Sequence, residues 1–103
     1  MAQPKRLLAN PTAATVCWVR VGPAEEPIPA RVLHLSASGA HLLLRFPVVP
    51  GGWVTVDLFN VVRLFTCLVP MRVGYCQEIA AGGFVVGGTF TRQLDDEEMR
   101  RLV

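Results

Sequence analysis

Charged residues are scarce in this chain, at 17% of its 103 residues, whereas a typical soluble domain carries about a quarter. Hydrophobic residues make up 51%, and the formal net charge is only +2. Intrinsic disorder is excluded, because a disordered chain needs low hydrophobicity and high net charge. The length fits one domain, and a domain this small buries only about 60 to 65% of its unfolded surface. Some apolar side chains must stay exposed, and we expect a protein partner or a second copy of the chain to cover them.

Long hydrophobic runs are also missing. No segment without a charged residue exceeds 13 residues, the length of Leu7–Val19 and of Ile79–Thr91. A membrane-spanning helix needs about 18 apolar residues, so the sequence predicts no transmembrane segment. The first residues resemble a signal peptide only briefly, because Asn10 and Pro11 interrupt the apolar stretch. We therefore expect a cytoplasmic protein without a targeting segment.

Cysteine occurs only three times, as Cys17, Cys67 and Cys76. An odd number of cysteines at these spacings matches neither a disulfide framework nor a zinc knuckle. Buried cysteine behaves as a small apolar residue with a weak S–H donor. We therefore expect all three residues to be reduced, buried thiols.

Histidine occurs only twice, and neither residue has a nucleophile and an acid in its sequence neighbourhood. A metal site built from His34, His41 and Cys17 would have no ligand pair at a recognised spacing. The four carboxylates of residues 95–98 are typical of a helix start rather than of a catalytic pair. We therefore predict a protein that is not an enzyme and that holds no metal or other cofactor.

The basic residues are spread thinly along the chain. Residues 1–94 carry eight basic and four acidic side chains, hence a net charge of +4. This balance suits a small anion and argues against a DNA duplex as partner, which requires a dense basic face. A nucleic-acid binder with an OB-like barrel stays open as an alternative, with Tyr75 and Phe59 as its stacking platforms. Most other aromatic residues are expected in the core: Trp18, Phe46, Phe84 and Phe90.

The chain is predicted to be mostly β, because alternating apolar residues recur at strand length between Gly and Pro turns. The predicted strands are residues 14–21, 30–35, 39–46, 53–58, 63–73 and 84–91. Six short strands with turns about every 8 to 12 residues predict a six-stranded antiparallel β-barrel, whose closure removes exposed sheet edges. A sandwich of the same strands is the alternative.

The end of the chain predicts a C-terminal α-helix at about residues 95–103. Acidic residues 95–98 fall in its first turn and basic residues 100–101 in its last, which complements the helix dipole. Asp95 and Glu98 have the spacing of a capping box. One apolar stripe predicts that the helix packs on the barrel as a lid: Leu94, Met99, Leu102 and Val103.

Two short segments carry candidate ligand-binding residues. The segment His34–Gly39 separates two predicted strands, and within it Ser36 can satisfy backbone donors. Gly39 permits a positive φ or the close approach of a ligand. We expect residues 1–12 to form a flexible N-terminal arm ahead of a domain of residues 13–103, and Arg6 in this arm can contact a phosphate or stack on a base.

These segments resemble the signature of the bacterial PilZ domains. That signature has an Arg-x-x-x-Arg arm, often followed by a proline, and an Asp/Asn-x-Ser-x-x-Gly turn between the second and third strands. The turn of this chain matches at Ser36 and Gly39 and departs at His34. The two arginine positions of the arm fall on Lys5 and Ala9 in one register, or on Arg6 and Asn10 in the other. The resemblance extends over about residues 5–103.

The resemblance implies a PilZ-like split barrel with a closing helix, and a receptor or adaptor for cyclic di-GMP in bacterial signalling. It also implies the ligand-binding residues: Lys5, Arg6, Asn10, His34, Ser36 and Gly39. Because neutral histidine cannot offer the paired acceptors that a guanine edge requires, we expect cyclic di-GMP binding to be weak or lost. The alternative is a ligand-independent PilZ domain that binds a protein in motility, pilus assembly or polysaccharide export, or that forms a homodimer through its apolar surface.

Overall fold

The computed structural model describes residues 15–22 and 25–103 and shows six strands followed by one helix. The elements are β1 (Thr15–Arg20), β2 (Ile28–Leu35), β3 (Gly39–Leu44), β4 (Trp53–Asn60), β5 (Phe65–Glu78), β6 (Phe84–Phe90) and α1 (Asp96–Leu102). The predicted arm of residues 1–12 lies outside the described residues.

The strands form a closed barrel in the order β1-β2-β3-β6-β5-β4, and every neighbouring pair is antiparallel. The predicted six-stranded antiparallel barrel is confirmed, and the alternative sandwich is wrong. Side chains alternate between the interior and the outer surface along the strands, as on β5, where Cys67, Val69, Met71 and Val73 are buried. The interior of the barrel is therefore packed with aliphatic side chains.

Strand β5 is longer than predicted, because it continues through the expected turn at Gly74 to Glu78. The register between β5 and β6 shifts between Val73 and Tyr75, which is a β-bulge around Gly74. The bulge breaks the alternation that marks a strand in the sequence, although pairing with β6 continues on both sides. The prediction of a loop at residues 74–83 was therefore wrong in its first half.

Strand β4 also ends later than predicted, at Asn60, so the turn occupies residues 61–64. The Oδ1 atom of Asn60 accepts hydrogen bonds from the backbone N–H groups of Val62 and Arg63, both at 3.0 Å. These two bonds hold residues 61–64 in a turn that begins directly after Asn60. Three other bounds shift by two residues, since β2 begins at Ile28, β3 ends at Leu44 and β5 begins at Phe65.

The C-terminal helix and its predicted capping box are confirmed. The Asp95 carboxylate accepts from the Glu98 N–H at 2.7 Å, and the Glu98 carboxylate accepts from the Asp95 N–H at 2.9 Å. Met99 and Leu102 are buried against the barrel. The Asn60 side-chain amide donates to the Leu102 carbonyl at 2.9 Å, so the last helical turn is tied to the start of the turn after β4. No helix among residues 15–22 and 25–103 is long and apolar enough to cross a membrane.

Candidate functional site

The turn between β2 and β3 is held by the hydroxyl of Ser36 and the backbone of Gly39. The Ser36 N–H donates to the Gly39 carbonyl at 2.9 Å, and the Ser38 N–H donates to Ser36 Oγ at 3.3 Å. Ser36 Oγ also lies 3.4 Å from Ser38 Oγ. The predicted satisfaction of backbone donors by Ser36 is confirmed, and the serine is thereby oriented by the turn itself.

Gly39 is required by the packing of the barrel. It does not adopt a positive φ, but it pairs with Thr89 on β6, and a Cβ at this position would overlap the carbonyl oxygen of Gly88. The sequence predicted that Gly39 permits a positive φ or the close approach of a ligand. In the structure it is the neighbouring strand β6 that approaches Gly39 closely. Any side chain here would separate β3 from β6 at the point where the turn begins.

His34 and His41 face each other across β2 and β3, although seven positions separate them in the chain. Their ring centroids are 5.9 Å apart in an edge-to-face arrangement, and both side chains are exposed. The register shift between Val32 and His34 turns His34 outward, while Leu35 points into the core. His34 thus stands beside the Ser36 turn with one imidazole donor and one acceptor available.

A shallow pocket of about 120 Å³ lies over the turn. Its walls come from β2, β3, β6 and the turn: His34, Ser36, Ser38, Gly39, Ala40, His41, Gly88 and Thr89. The fold therefore brings the three predicted turn residues together. Lys5, Arg6 and Asn10, predicted to complete the site, lie outside the described residues.

Two members of this surface, His41 and Tyr75, were not among the residues predicted for the turn site, although Tyr75 was predicted as a stacking platform in the nucleic-acid alternative. His41 pairs with Gly87 on β6, and Gly87 pairs with Tyr75 on β5, so a single row crosses the sheet. The rings of His41 and Tyr75 are 5.9 Å apart across the buried Gly87. A Cβ on Gly87 would lie 2.5 Å from Tyr75 Cε2 and 2.9 Å from His41 Cδ2. The absent side chain of Gly87 therefore lets the two rings approach each other.

Arg72 is another residue near the turn, and it was not among the predicted site residues. It pairs with Thr89, which in turn pairs with Gly39, so two strand spacings of about 4.8 Å separate its backbone from the turn. Its guanidinium lies 5.4 Å from the ring centroid of Trp53, over the outer surface of β4. Arg72 is thus a nearby cation that stacks on an indole rather than lining the pocket.

The aromatic predictions hold only in part. Phe90 is buried and Phe84 is half-buried against the core, as predicted, whereas Trp18 and Phe46 are exposed. Trp18 lies on the outward phase of β1, and Phe46 follows the end of β3. Their neighbours in the sequence are apolar, which is why the sequence predicts core positions for both. Tyr75 is exposed, in agreement with its expected position near the surface.

No thiol or carboxylate of the described residues lines the pocket over the turn. Cys17 and Cys67 are buried as predicted, whereas Cys76 is only half-buried. Burial raises the pKa of the Cys17 thiol to about 12 and that of Cys67 to about 11. Hydrogen bonding to Arg92 lowers the pKa of Glu98 to about 2. Within the described part of the chain, no group of three histidine, cysteine or acidic side chains is placed to hold a metal ion.

Neither a protein-family model nor a curated protein sequence matches this chain. Solved structures do match. The chain resembles MrkH of K. pneumonia in its complex with cyclic di-GMP, with a TM-score of 0.70 and 12% identity over 99% of this chain and 50% of MrkH. The apo state of MrkH matches with a TM-score of 0.68 and 12% identity over 98% of this chain and 48% of MrkH.

A second similar protein is the Bacillus subtilis inhibitor of motility, MotI/DgrA. It matches with a TM-score of 0.66 and 9% identity, over 99% of this chain and 48% of that protein. The chain thus spans about half the length of each protein that it resembles. Because the sequence identities are this low, the similarity concerns the fold alone, and the closed barrel with its C-terminal helix has the PilZ-like fold that the sequence resemblance predicts.

Proposed function

We propose that this domain is a PilZ-type receptor or adaptor in cyclic di-GMP signalling whose ligand site has weakened. The observation that carries the proposal is the match of 99% of the chain to MrkH in complex with cyclic di-GMP, combined with the Ser36 and Gly39 turn. In this proposal the protein is cytoplasmic, carries no cofactor and has no catalytic activity. Its output is a contact with another protein.

The proposed site consists of the turn and the N-terminal arm. Lys5 and Arg6 would neutralise the phosphates, since both are cations that precede the barrel. Asn10 would lie at the second arginine position of one register and would offer an amide in place of a guanidinium. Ser36 and His34 would face a guanine edge from the turn.

His34 is the main reason to expect weak binding. An acidic or amide side chain at this position would accept hydrogen bonds from the guanine N1 and N2 groups, whereas a neutral imidazole offers one acceptor and one donor. The loss of one such paired contact costs about 1 to 3 kcal/mol, or about one to two decades of affinity.

Calorimetric titration with cyclic di-GMP tests the proposal. We predict that His34→Asp tightens binding by at least about tenfold, because it restores a carboxylate beside Ser36. The double variant His34→Asp with Ala9→Arg should bind more tightly again. His41→Asp is the matched control, since it adds the same charge to the neighbouring strand at a position outside the signature, and it should gain less.

Two outcomes would contradict parts of this proposal. Equal, tight binding by the wild type and the double variant would show that His34 and Ala9 do not weaken the site. No measurable heat for any variant, at ligand concentrations far above the micromolar range, would remove cyclic di-GMP as the ligand and leave the fold unaffected.

A ligand-independent protein-interaction domain is the second candidate, and a specific observation favours it. Large apolar side chains remain exposed on the barrel, among them Trp53 at 51%, Leu68 at 63% and Val49 at 76% of their full exposure. A partner in motility, pilus assembly or polysaccharide export would cover such residues. This candidate predicts partner binding that is unchanged by cyclic di-GMP, whereas the first predicts that the dinucleotide alters it in the His34→Asp variant.

A further inference from the structure

The two histidines of the chain lie directly opposite each other on neighbouring strands. The chain has no other histidine, and seven positions separate His34 from His41 in the sequence. The antiparallel register of β2 and β3 nevertheless pairs them, and both side chains are exposed on the outer surface of the barrel. Directly opposed residues of an antiparallel pair have Cβ atoms about 4.5 to 5.5 Å apart. The fold therefore places two imidazoles within reach of a single small ligand.

The separation of the two rings is close to that of a metal chelate. Their centroids are 5.9 Å apart, and their planes are nearly perpendicular, at 89°. Two imidazoles on one ion, each with a metal–nitrogen distance of about 2.0 to 2.1 Å, have centroids about 4.5 to 5.2 Å apart at right-angled to tetrahedral coordination. The rings must therefore approach each other by about 1 Å. Small side-chain rotations supply this movement, because the terminal torsion of histidine is broad and both rings are exposed.

The packing of His41 leaves one edge of its ring turned away from the neighbouring strand β6. A Cβ on Gly87 would lie 2.9 Å from His41 Cδ2, so the Cδ2 edge of the ring rests over this glycine. In an imidazole Nδ1 is on the opposite side of the ring from Cδ2, and Nδ1 of His41 therefore points away from Gly87. The hydrogen bonds of the adjoining turn run between Ser36, Ser38 and Gly39 and involve neither imidazole. The turn thus leaves the ring nitrogens to another ligand.

The pocket around the two rings suits a small cation. Its other walls are small residues and hydroxyl-bearing residues: Ser36, Ser38, Gly39, Ala40, Gly88 and Thr89. The described residues that line it include no lysine or arginine, which would repel a metal ion. Arg72, which pairs with Thr89 from β5, stacks on Trp53 of β4 instead. The hydroxyl groups can accept hydrogen bonds from water molecules on a bound ion, in the way that outer-shell groups stabilise metal sites.

Two imidazoles without a third protein ligand select a particular class of ion. The described residues hold no group of three histidine, cysteine or acidic side chains that could bind a metal, so water completes the coordination. Imidazole suits Cu²⁺, Ni²⁺ and Zn²⁺, with the highest affinity for Cu²⁺, whereas Mg²⁺ and Ca²⁺ take oxygen ligands. The sequence predicts no metal at His34 and His41 because their spacing along the chain matches no known ligand pair. The register of β2 and β3 supplies the proximity that this spacing does not show.

We propose that His34 and His41 bind one divalent transition-metal ion, of the class of Cu²⁺, Ni²⁺ and Zn²⁺, as a two-imidazole chelate on the outer surface of β2 and β3. The ion is exchangeable, because water fills its other positions, and it is not a cofactor that the proposed receptor function needs. The site shares His34 with the proposed dinucleotide surface, but binding of the ion requires no dinucleotide. Metal titrations in the absence of cyclic di-GMP therefore test this inference separately from the proposed function.

Calorimetric titration with Ni²⁺ tests the site. The wild type should bind one ion per chain in the micromolar range, and Mg²⁺ at the same concentrations should not bind. His34→Ala and His41→Ala should each weaken Ni²⁺ binding at least about tenfold, because the loss of even an outer-shell partner costs a metal site about 10- to 100-fold in affinity. Ni²⁺ is paramagnetic, so in NMR spectra it should broaden the amide signals of residues 34 and 41 and leave those of β4, across the barrel, sharp.

A matched control keeps two exposed histidines but separates them. His41→Ala combined with Gln77→His moves the second imidazole to β5, three strands away from His34, and should bind Ni²⁺ as weakly as His41→Ala alone. Cys76→Ser should bind like the wild type, which excludes the half-buried thiol as the ligand. Circular dichroism establishes that each variant is folded. The proposal is overturned if the folded wild type does not bind Ni²⁺, if an alanine variant or the separated pair binds like the wild type, or if Cys76→Ser removes binding.

Discussion

At the scale of single residues, two adjacent glycines on β6 show how the barrel and the candidate surface depend on missing side chains. The atoms nearest to a Cβ on Gly87 would be ring atoms of exposed Tyr75 and His41. A Cβ on Gly88 would lie 2.5 Å from the Arg72 carbonyl oxygen and 2.7 Å from Met71 Cγ, which is buried. The first contact can be relieved by ring movement, whereas the second involves backbone and core.

We therefore predict that Gly88→Ala lowers the free energy of unfolding by about 1 to 3 kcal/mol, through overpacking between β5 and β6. Gly88 does not have a positive φ, so the loss reflects the contact and not the backbone conformation. Urea denaturation measures the effect, with Gly87→Ala as the control that should cost less. Equal losses in the two variants would contradict this assignment.

Some residues of the candidate site can be identified from local sequence patterns, and others cannot. Ser36 and Gly39 were identified because a turn signature needs only local spacing. His41 and Tyr75 were not predicted for this site, because their approach to the turn depends on the register of β3, β6 and β5. Tyr75 was predicted only as a stacking platform in the nucleic-acid alternative. A sequence read without its strand pairing contains no signal for that register, although the Gly87–Gly88 pair marks a place where something approaches closely.

At the scale of elements, the sequence correctly predicted that six strands and one helix form, whereas it predicted their ends less accurately. The helix was located correctly, because acids at its start, bases at its end and the Asp95 cap agree with one another. The end of β5 was wrong because the bulge at Gly74 breaks the alternation without ending the pairing. The end of β4 was wrong because the Asn60 side chain, which holds the turn, occupies a buried position.

The hydrogen bonds of Glu98 at the start of the helix predict how the stability of the protein changes at acidic pH. Glu98 receives hydrogen bonds from the Arg92 guanidinium and from the Asp95 N–H, and its pKa falls from 4.5 to about 2. A carboxylate with a lowered pKa in the folded state adds stability at pH values above its unfolded pKa. That contribution should be lost as the pH falls from about 4.5 through about 2.

Glu98→Gln should therefore flatten the pH dependence of the free energy of unfolding between pH 4.5 and pH 2. At neutral pH it should cost up to about 1 kcal/mol, since the exposed pair with Arg92 is lost and the amide still fits the capping box. Glu97→Gln is the matched control on the same helix, where the more exposed pairs with Arg100 and Arg101 should matter less. Parallel acid profiles for the wild type and Glu98→Gln would refute the prediction.

At the scale of the whole molecule, the many apolar residues lie in two places, inside the barrel and on its outer surface. One part fills the closed barrel and the contact with the helix, where the side chains of Val56, Leu58 and Leu102 are fully buried. The other part lies outside, for example at outward positions of β1, β4 and β5, which carry Trp18, Trp53 and Leu68. A closed barrel has no sheet edge at which a partner strand can be added, so association must occur through faces.

Because the barrel is closed, we expect it to unfold as a single cooperative unit. The reactivity of the three thiols can test this expectation. Cys17 on β1 and Cys67 on β5 are buried on strands that flank β4, whereas Cys76 is half-buried beyond the bulge. A thiol reacts as the thiolate and needs access to the reagent. Burial raises the pKa of Cys17 to about 12 and of Cys67 to about 11, so both conditions oppose their reaction in the folded protein.

Labelling with a thiol-specific reagent at neutral pH should therefore show one fast phase and one slow phase. Cys76 should react in the fast phase, which Cys76→Ser should abolish. Cys17 and Cys67 should react together in the slow phase, because removing either strand from the barrel opens the core that both share. In urea below the unfolding midpoint their common rate should rise with the unfolded fraction. If Cys67 reacted well before Cys17, the β5 side of the barrel would open on its own, and the barrel would not be one cooperative unit.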